Sequence, residues 1–473
     1  MRRLLLWFKQ DVRLDDHPAV QAAVKAERLL PVFVLDPSLL HTGPFGTRRM
    51  GIHRTRFLLE SLAALDRELK QRGSQLLVVL GNAELLIPQL AQQLEVTSVL
   101  TLEEIAPEER QQVARVREAL GPIRLLEYAG NDLLFPEQLP CPPEHLPHVF
   151  SQFRQEIENR PPVFQYRPAP VTLPGVPEQS ADLFRRLPTL SQLGLGEAQS
   201  SANSAFPFSG GETAALARLR DYLWNSQHVR DYQETRDQML GTEYSSKLSP
   251  WLANGSLSVR RVAADLRRHE ALYQANNSTR CLWGELLWRE FFRRTLQRHG
   301  CALFQSGSLK ATERASRLID ERFVRWTQGR TGMPLVDACM RELAETGYLS
   351  NRGRQVAASY LVQDLQQDWR YGASWFEEHL LDYDVASNWG NWAYLAGISC
   401  NPRRSMAFNA LRQAHQYDPE ASYVSLWLPE LRHIPQHLRH TPFILSAQQL
   451  EALDYPRIGM VPAAWKPYLP EAA

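Results

Sequence analysis

The first 128 residues alternate between short apolar runs and longer amphipathic stretches. Each apolar run is about as long as a strand that is buried on both faces. Between the runs, apolar residues recur three and four positions apart, as in 54–71 and 107–120, and this spacing predicts helices. The alternation predicts βαβ units, and therefore a parallel sheet with helices on both faces. The predicted strands are Leu4–Phe8, Leu29–Leu35, Gln75–Leu80, Thr97–Leu102 and Ile123–Tyr128.

Two further units follow this alternating part. Residues 160–210 hold 8 of the 31 prolines, with Ser, Gly and Ala between them, which is typical of a surface connector. From residue 211 onward the periodicity is helical almost throughout. We therefore predict a Rossmann-like α/β domain at 1–130, a long connector at 131–210 and a large all-α domain at 211–473. No GxGxxG motif follows the first strand, so nothing here indicates dinucleotide binding by the α/β domain.

Composition and charge exclude several classes of protein. The 473 residues carry a net charge of +1, which excludes a uniformly basic nucleic-acid coat but not a local basic patch. No cysteine pair has metal-ligand spacing, so neither a zinc site nor a disulfide framework is predicted. The first apolar run is too short for a signal peptide or a membrane span, so we expect a soluble, cytoplasmic protein. The five cysteines are Cys141, Cys281, Cys301, Cys339 and Cys400.

Residues 283–294 read WGELLWREFFRR, a carboxylate within an aromatic helix. On a helix, Cys281, Glu285, Trp288 and Phe292 share one face, and Arg289 lies beside it. Such a carboxylate requires a partner. It forms an ion pair with an arginine, or it accepts hydrogen bonds from a ligand, and the pattern leaves both open.

The segment YSSKLSPWLA, at 244–253, places three hydroxyls and one cation at a turn that enters a helix. Ser245, Ser246, Lys247 and Ser249 could hold a phosphate or pyrophosphate. A helix N-cap with solvated neighbours has the same pattern.

Three later motifs carry polar groups at helical spacing. Asn351, Arg354 and Gln355 share a helix face, and Arg354 is the expected partner of Asp382 or Asp384. No His or third acid stands at ligand spacing from those two acids, so no metal site is predicted. Residues 401–412 carry three arginines and no acid, which suits either a phosphate-binding strip or a solvated helix end. Eleven of the twelve tryptophans lie beyond residue 211, in an aromatic core or around a planar cofactor, stacked bases or an electron path.

In this order the motifs resemble those of the photolyase/cryptochrome family. The N-terminal WFKQDVRLDDH is similar to that family's WFRxDLRLxDN, and the likeness continues through YSSKLSPWLA, ELLWREFFR, NRGRQ and DYDVASNWGNW. It covers nearly the whole chain apart from 160–210 and the last dozen or so residues. GGETAALARL, YSSKLSPWLA and DYDVASNWGNW are most similar to the DASH-type cryptochromes.

The resemblance implies that the helical domain binds FAD. It assigns the phosphates and ribityl chain to 232 and 245–249, and the flavin ring to 382–384, with Arg354 supporting Asp382. Asn388 would face the flavin and tune its redox states. Lys247 stands where many photolyases have Arg, so the cation remains without the bidentate fork. The implied FAD contacts are Tyr232, Ser245, Ser246, Lys247, Leu248, Ser249, Arg354, Asp382, Tyr383, Asp384 and Asn388.

The resemblance also implies a pocket for a cyclobutane pyrimidine dimer in DNA. Glu285 would hydrogen-bond the bases, and Trp288 and Tyr394 would pack against them. Trp392 and Trp369 match the inner two tryptophans of the family's electron relay, whereas the outer position, 316, is serine. The implied DNA contacts are Glu285, Trp288, Arg289, Asn351, Arg352, Gln355 and Tyr394, and the arginine strip adds Arg403 and Arg404 as candidates.

The sequence alone leaves three functions open. The first is light-driven dimer repair by reduced FAD, preferably in single-stranded DNA, by a monomer. The second is a blue-light receptor that binds nucleic acid with little repair. The third, a flavin electron-transfer protein, leaves the arginine strip unexplained. The family also implies an antenna pigment in the α/β domain, usually methenyltetrahydrofolate, for which Glu108 or Glu109 is the candidate contact.

Overall fold

The N-terminal part of the chain folds into one five-stranded parallel sheet. The computed structural model describes residues 2–197, 201–307, 309, 319–399, 408–459 and 461–469. The strand order is β3-β2-β1-β4-β5, and every neighbouring pair runs parallel. All five predicted strands are confirmed, each within two residues of its predicted start. They are β1 (Arg3–Phe8), β2 (Arg28–Leu35), β3 (Leu77–Leu80), β4 (Ser98–Leu102) and β5 (Arg124–Tyr128).

Helices cover both faces of this sheet, as predicted. They are α1 (Pro18–Ala23), α2 (Ile52–Gln71), α3 (Ala83–Gln93) and α4 (Pro107–Ala119). Side chains alternate between the two faces along a strand. Accordingly, Leu4, Leu6 and Phe8 of β1 pack in one apolar cluster with α1 and α2, whereas Leu5 and Trp7 pack in another with α3 and α4.

The stretch between the sheet and the helical domain contains one further helix, α5 (Phe150–Asn159). Phe153 and Ile157 on this helix are buried in an apolar cluster that also holds Leu286 and Leu287. Beyond α5, residues 161–177 contain no helix or strand, in keeping with their proline content. Helix α5 is thus part of the packed structure.

Residues from 212 onward form the helical domain, which is built around a 23-residue helix. That helix, α10 (Asn277–His299), packs against α7 (Tyr232–Thr235), α9 (Val259–Tyr273) and α15 (Val385–Leu395). Trp251, Trp326 and Trp465 are fully buried, so part of the tryptophan enrichment serves the core. No helix in the described ranges is long and apolar enough to cross a membrane. The helices are α6 (Glu212–Arg220), α7 (Tyr232–Thr235), α8 (Ser249–Ala253), α9 (Val259–Tyr273), α10 (Asn277–His299), α11 (Glu321–Thr327), α12 (Pro334–Thr346), α13 (Asn351–Ser359), α14 (Trp369–His379), α15 (Val385–Leu395), α16 (Ala410–Tyr417), α17 (Ser422–Trp427) and α18 (Ala447–Ala452).

Candidate functional site

A cavity of about 290 Å³ lies inside the helical domain. Its walls come from α7, the segment that leads into α8, α10, α13 and the loop before α15. All the residues for which the resemblance implies an FAD contact line this cavity, at positions 232, 245–249, 354, 382–384 and 388. Four separate segments of the chain therefore converge on one site.

Asp382 links two of these segments. Its Oδ2 atom accepts hydrogen bonds from Ser249 Oγ at 2.7 Å and from Arg354 Nη2 at 2.8 Å. Burial opposes a charge on Arg354, but the neighbouring carboxylate of Asp382 raises the pKa of the guanidinium. The Oδ1 atom of Asp382 is buried and has no hydrogen-bond partner among the described residues. This atom is an acceptor available to a ligand N–H group.

Lys247 is a buried cation in the same cavity, 2% exposed. It adopts a left-handed backbone conformation (φ 59°), and its Nζ lies 3.2 Å from the centroid of the Tyr244 ring. No described residue gives this nitrogen a hydrogen-bond partner. Burial lowers the pKa of Lys247 well below its ordinary value, because the charged form lacks solvation. An anionic ligand group would supply the missing partner.

Asn388 and Asp384 are fixed at the start of α15. The carboxylate of Asp384 caps this helix by accepting a hydrogen bond from the backbone N–H of Ser387 at 2.7 Å. Burial would raise the pKa of Asp384, but the guanidinium groups of Arg289 and Arg293 lower it overall. Asn388 Nδ2 donates to the carbonyl oxygen of Ala373 at 3.0 Å, so α14 sets the orientation of its amide.

Glu285 lines the same cavity and forms an ion pair. Arg236 Nη1 donates to Glu285 Oε1 at 2.5 Å and to Cys281 Sγ at 3.0 Å. Burial opposes the charge of Arg236, but Glu285 raises the pKa of its guanidinium. Of the two alternatives left open by the sequence, the structure shows the ion pair, and it leaves both side chains partly exposed to the cavity. Arg236 was not among the predicted site residues.

Only some of the remaining predicted DNA contacts line this cavity. Arg289, Asn351 and Gln355 line the cavity beside Glu285. Arg289 also donates to the carbonyl oxygen of Asn131 at 3.1 Å. Arg352 lies outside this lining and donates to Asp237 Oδ2 at 2.9 Å. Arg403 and Arg404 lie outside the described residues.

Trp288 and Tyr394 do not line the main cavity; they face a separate recess of about 30 Å³. Their rings meet edge to face, with centroids 5.7 Å apart. The recess also contains Phe150, at the start of α5, and Arg298 of α10. Neither of these two residues was predicted from the sequence, where they carry no motif.

The two predicted relay tryptophans lie in different surroundings. Trp392 lines the main cavity, and its indole meets that of Trp326 at 6.3 Å between centroids. Trp369 is buried, and its indole meets Trp389 at 5.7 Å. The outer relay position, Ser316, lies outside the described residues.

A second cavity, of about 220 Å³, lies where β1, β2 and β4 end. Glu108 and Glu109 both line it, and Glu108 pairs with Arg49 at 2.5 Å. Burial, with smaller contributions from neighbouring acids, raises the pKa of Glu109 to about 7. Ala253 and Tyr383 line both this cavity and the main cavity, so the two cavities lie next to each other.

Comparison with known proteins relates both halves of the chain to light-dependent proteins. A family model described as DNA photolyase matches residues 4–174, and one described as the FAD binding domain of DNA photolyase matches 282–463. "Cryptochrome DASH" of Gloeobacter violaceus is 41% identical over 465 residues, spanning 96% of this chain and 92% of that protein.

Two solved structures have folds similar to that of this chain. The Synechocystis sp. PCC6803 cryptochrome has a TM-score of 0.92 at 39% identity and covers 98% of this chain and 97% of its own. A photolyase from Sulfolobus tokodaii, described with two FAD molecules, has a TM-score of 0.78 at 25% identity, over 97% of this chain and 96% of its own. The chain belongs to the photolyase/cryptochrome family and, within it, to the DASH-type cryptochromes. It is a flavoprotein whose helical domain binds FAD.

The unpaired atoms of the main cavity fit this cofactor. FAD carries a pyrophosphate, for which the buried Nζ of Lys247 would be a counterion, and N–H groups, for which Oδ1 of Asp382 would be an acceptor. Both atoms would otherwise remain buried without a partner among the described residues, at a cost in free energy.

Proposed function

We propose that the protein splits cyclobutane pyrimidine dimers in DNA, using blue light and reduced FAD, and that it prefers single-stranded DNA. The observation that carries this proposal is the shared cavity. Glu285, the candidate contact for a pyrimidine, lines the same space as Asn388 and Asp382, the candidate contacts for the flavin. A dimer held at Glu285 would therefore share one cavity with the cofactor.

The protein supplies orientation and electrostatics in this reaction. The chemistry that bound FAD would supply is light-driven electron transfer to split the cyclobutane ring. Lys247 and the Arg354–Asp382 pair would hold the cofactor, and the carbonyl oxygen of Ala373 in α14 fixes the amide of Asn388. Glu285 accepts hydrogen bonds from pyrimidine N–H groups, and the ion pair with Arg236 fixes the direction of its carboxylate. Trp288 and Tyr394 supply apolar walls.

The preference for single strands follows from the cost of removing a dimer from a duplex. Extruding a base costs a few kcal/mol and costs least when the strand is already single. Stacking on an aromatic side chain returns about 1–3 kcal/mol per base. Tyr394 stands where classical photolyases carry a second Trp. The recess that Trp288 and Tyr394 face therefore offers a smaller aromatic surface.

The test is dimer repair under blue light on matched single-stranded and fully paired oligonucleotides, with dark controls. We expect rapid repair of the single strand and slow repair of the duplex. Equal rates on the two substrates would contradict the strand preference. Binding without repair on either, by protein that carries reduced FAD, would instead establish a photoreceptor that binds nucleic acid.

We further propose that the cavity of the α/β domain holds an antenna pigment, methenyltetrahydrofolate, in contact with Glu108 or Glu109. The wall that it shares with the FAD site at Tyr383 supports this role, because energy transfer needs two nearby chromophores. The test is identification of the pigment released from purified protein. Release of a second FAD, the cofactor that the Sulfolobus tokodaii photolyase carries in two copies, would replace folate as the antenna.

A further inference from the structure

The indole of Trp288 is covered on one face by the phenyl ring of Phe150. The ring centroids are 3.6 Å apart and the planes are inclined by 11°, so the two rings lie parallel and in contact. Phe292 packs at 5.4 Å, while Phe291 and Tyr394 meet the indole edge-on at 5.7 Å each. Rings from α5, α10 and α15 thus surround an indole that is still partly exposed.

Arg298 fixes the segment that carries Phe150. It lies about three turns after Trp288 on α10. Its guanidinium donates to the carbonyl oxygen of Pro143 at 2.5 and 3.1 Å and to that of Leu146 at 2.6 Å. A guanidinium has several donors in a rigid fork, so one side chain can hold two carbonyl groups. Helix α10 therefore carries Trp288 and also anchors the chain that leads into Phe150.

We propose that Phe150 is a positioning residue of the substrate pocket. Held by the Arg298 anchor, it keeps the indole of Trp288 in one plane, so that a pyrimidine of the dimer meets a preformed aromatic wall. This inference rests on the proposed repair function. The wall matters more here because Tyr394, which meets the indole edge-on, has a smaller ring than Trp. A free indole would have to be ordered when the substrate binds, which weakens affinity.

The contrary role, in which Phe150 is a lid that occupies the place of a base, predicts an effect of opposite sign. Removing a lid would strengthen dimer binding, whereas removing a positioning residue weakens it. Phe150 also packs edge-on against Phe291 at 5.8 Å and is half-buried, in keeping with a fixed wall. Dimer affinity, measured in the dark, therefore separates the two roles.

Three variants test the role of the flat ring. Phe150→Leu keeps an apolar side chain but removes the ring, and Phe150→Tyr keeps the ring. Phe164→Leu is the matched control, because Phe164 packs edge-on against Trp283 of the same helix at 5.8 Å, outside the recess. The FAD-loaded proteins are titrated in the dark with a single-stranded oligonucleotide that carries one thymine dimer, and with its undamaged counterpart. Repair yield per absorbed photon is then measured at saturation.

We expect Phe150→Leu to weaken dimer binding about three- to tenfold. Its affinity for the undamaged strand and its repair yield at saturation should remain unchanged. Phe150→Tyr and Phe164→Leu should bind the dimer like the wild type. This split between affinity and yield, with rescue by Tyr, distinguishes positioning from a general loss of packing.

Several results would overturn the inference. These are unchanged or tighter dimer binding by Phe150→Leu, an equal loss in Phe164→Leu, or no rescue by Phe150→Tyr. The wild-type titration separates this claim from the proposed function. If the wild type binds the dimer no better than the undamaged strand, both the proposed function and the role of Phe150 are overturned. If the wild type prefers the dimer and Phe150→Leu binds it equally well, only the role of Phe150 is overturned.

Discussion

Arg236 holds the carboxylate of Glu285 at 2.5 Å, and the pair joins the end of α7 to the middle of α10 at the cavity wall. The two side chains are 22% and 32% exposed. A pair as accessible as this adds less than about 1 kcal/mol to the free energy of unfolding. Its effect is therefore on the direction of the Glu285 carboxylate, the group proposed to bind the pyrimidine.

Removing either member of this pair should weaken dimer binding without unfolding the protein. For Glu285→Gln we expect a loss of about 1–3 kcal/mol in dimer affinity, because a charged acceptor is replaced by a neutral amide. Arg236→Met should cause a smaller loss, since the carboxylate remains but is no longer oriented. Affinities are measured in the dark on the FAD-loaded protein. The control is Arg115→Met, which removes an ion pair with Glu84 in the α/β domain. Wild-type affinity in both cavity variants would contradict the assignment of Glu285.

Replacing Lys247 should have opposite effects on FAD affinity and on the stability of the apoprotein. Lys247→Met should weaken FAD binding about ten- to a hundredfold, because the cofactor loses a charge-assisted contact of about 1.5–3 kcal/mol. The same change should raise the unfolding temperature of the apoprotein, since it removes a buried cation without a hydrogen-bond partner among the described residues. Flavin titration and thermal unfolding measure the two effects. Lys247→Arg, which matches the family's common residue, should retain FAD. A Lys247→Met protein that binds FAD like the wild type would contradict the role of Lys247.

Glu342 makes the stability of the helical domain depend on pH. Burial raises the pKa of this carboxyl group to about 8, and its Oε2 accepts a hydrogen bond from the Tyr423 hydroxyl at 2.5 Å. Between about pH 4.5 and 8, the folded state retains a proton that the unfolded chain has released. The group therefore stabilises the fold most at low pH, and this contribution is lost as the pH rises through 8.

The measurement is the urea midpoint of wild type and Glu342→Gln at pH 5.5 and pH 8. Between pH 5.5 and pH 8, the free energy of unfolding should fall by about 1–3 kcal/mol more in the wild type than in the variant. Glu321→Gln, which alters an exposed pair with Arg325, serves as the control. Parallel pH profiles for wild type and Glu342→Gln would show that this proton makes no contribution.

The sheet could be predicted from the sequence, because a strand buried on both faces leaves a local signal. Leu29–Leu35 is apolar at nearly every position, and its structured counterpart is Arg28–Leu35. Helix α5 was not predicted. It is ten residues long and lies in a proline-rich stretch, and only burial of Phe153 and Ile157 against distant residues reveals its place in the core.

The site could be predicted only where a motif marks it. The predicted FAD contacts come from short ordered motifs, and these residues line one cavity. Arg236 and Glu285 are 49 positions apart, and Phe150 and Trp288 are 138 apart, so no local period links either pair. Contacts of this kind depend on the packing of α5, α7 and α10, which the periodicity of a single segment does not specify.

Tyr394→Trp should reduce the preference for single strands. A larger ring beside Trp288 offers more stacking, worth up to about 1–3 kcal/mol per base, to offset base extrusion. We expect repair of a fully paired duplex to rise several-fold, while repair of a single strand changes little. Competition assays with both substrates in one tube give the ratio directly. Tyr394→Phe, which retains the ring size, should keep the wild-type ratio. An unchanged ratio in Tyr394→Trp would show that the preference arises elsewhere.

The family's electron relay ends at position 316, where this chain has serine. Among the described residues, a series of aromatic contacts leads from the cavity to Tyr371. Trp392 meets Trp326 at 6.3 Å, Trp326 stacks with Phe323 at 5.9 Å, and Phe323 meets the half-buried Tyr371 at 5.9 Å. Trp375, a second nearby candidate, stacks on His379 at 4.0 Å.

We expect light to reduce oxidised FAD inefficiently in this protein, because a relay without its outer tryptophan keeps the separated charges close together and they recombine. Repair begins from FAD that is already reduced, so it should be spared. Ser316→Trp should raise the yield of photoreduction, measured by transient absorption and steady-state bleaching, and should leave repair unchanged. Trp375→Phe and Tyr371→Phe should have little effect. If Ser316→Trp leaves the yield unchanged while Trp375→Phe or Tyr371→Phe abolishes it, that residue provides the exit and the relay is rerouted rather than shortened.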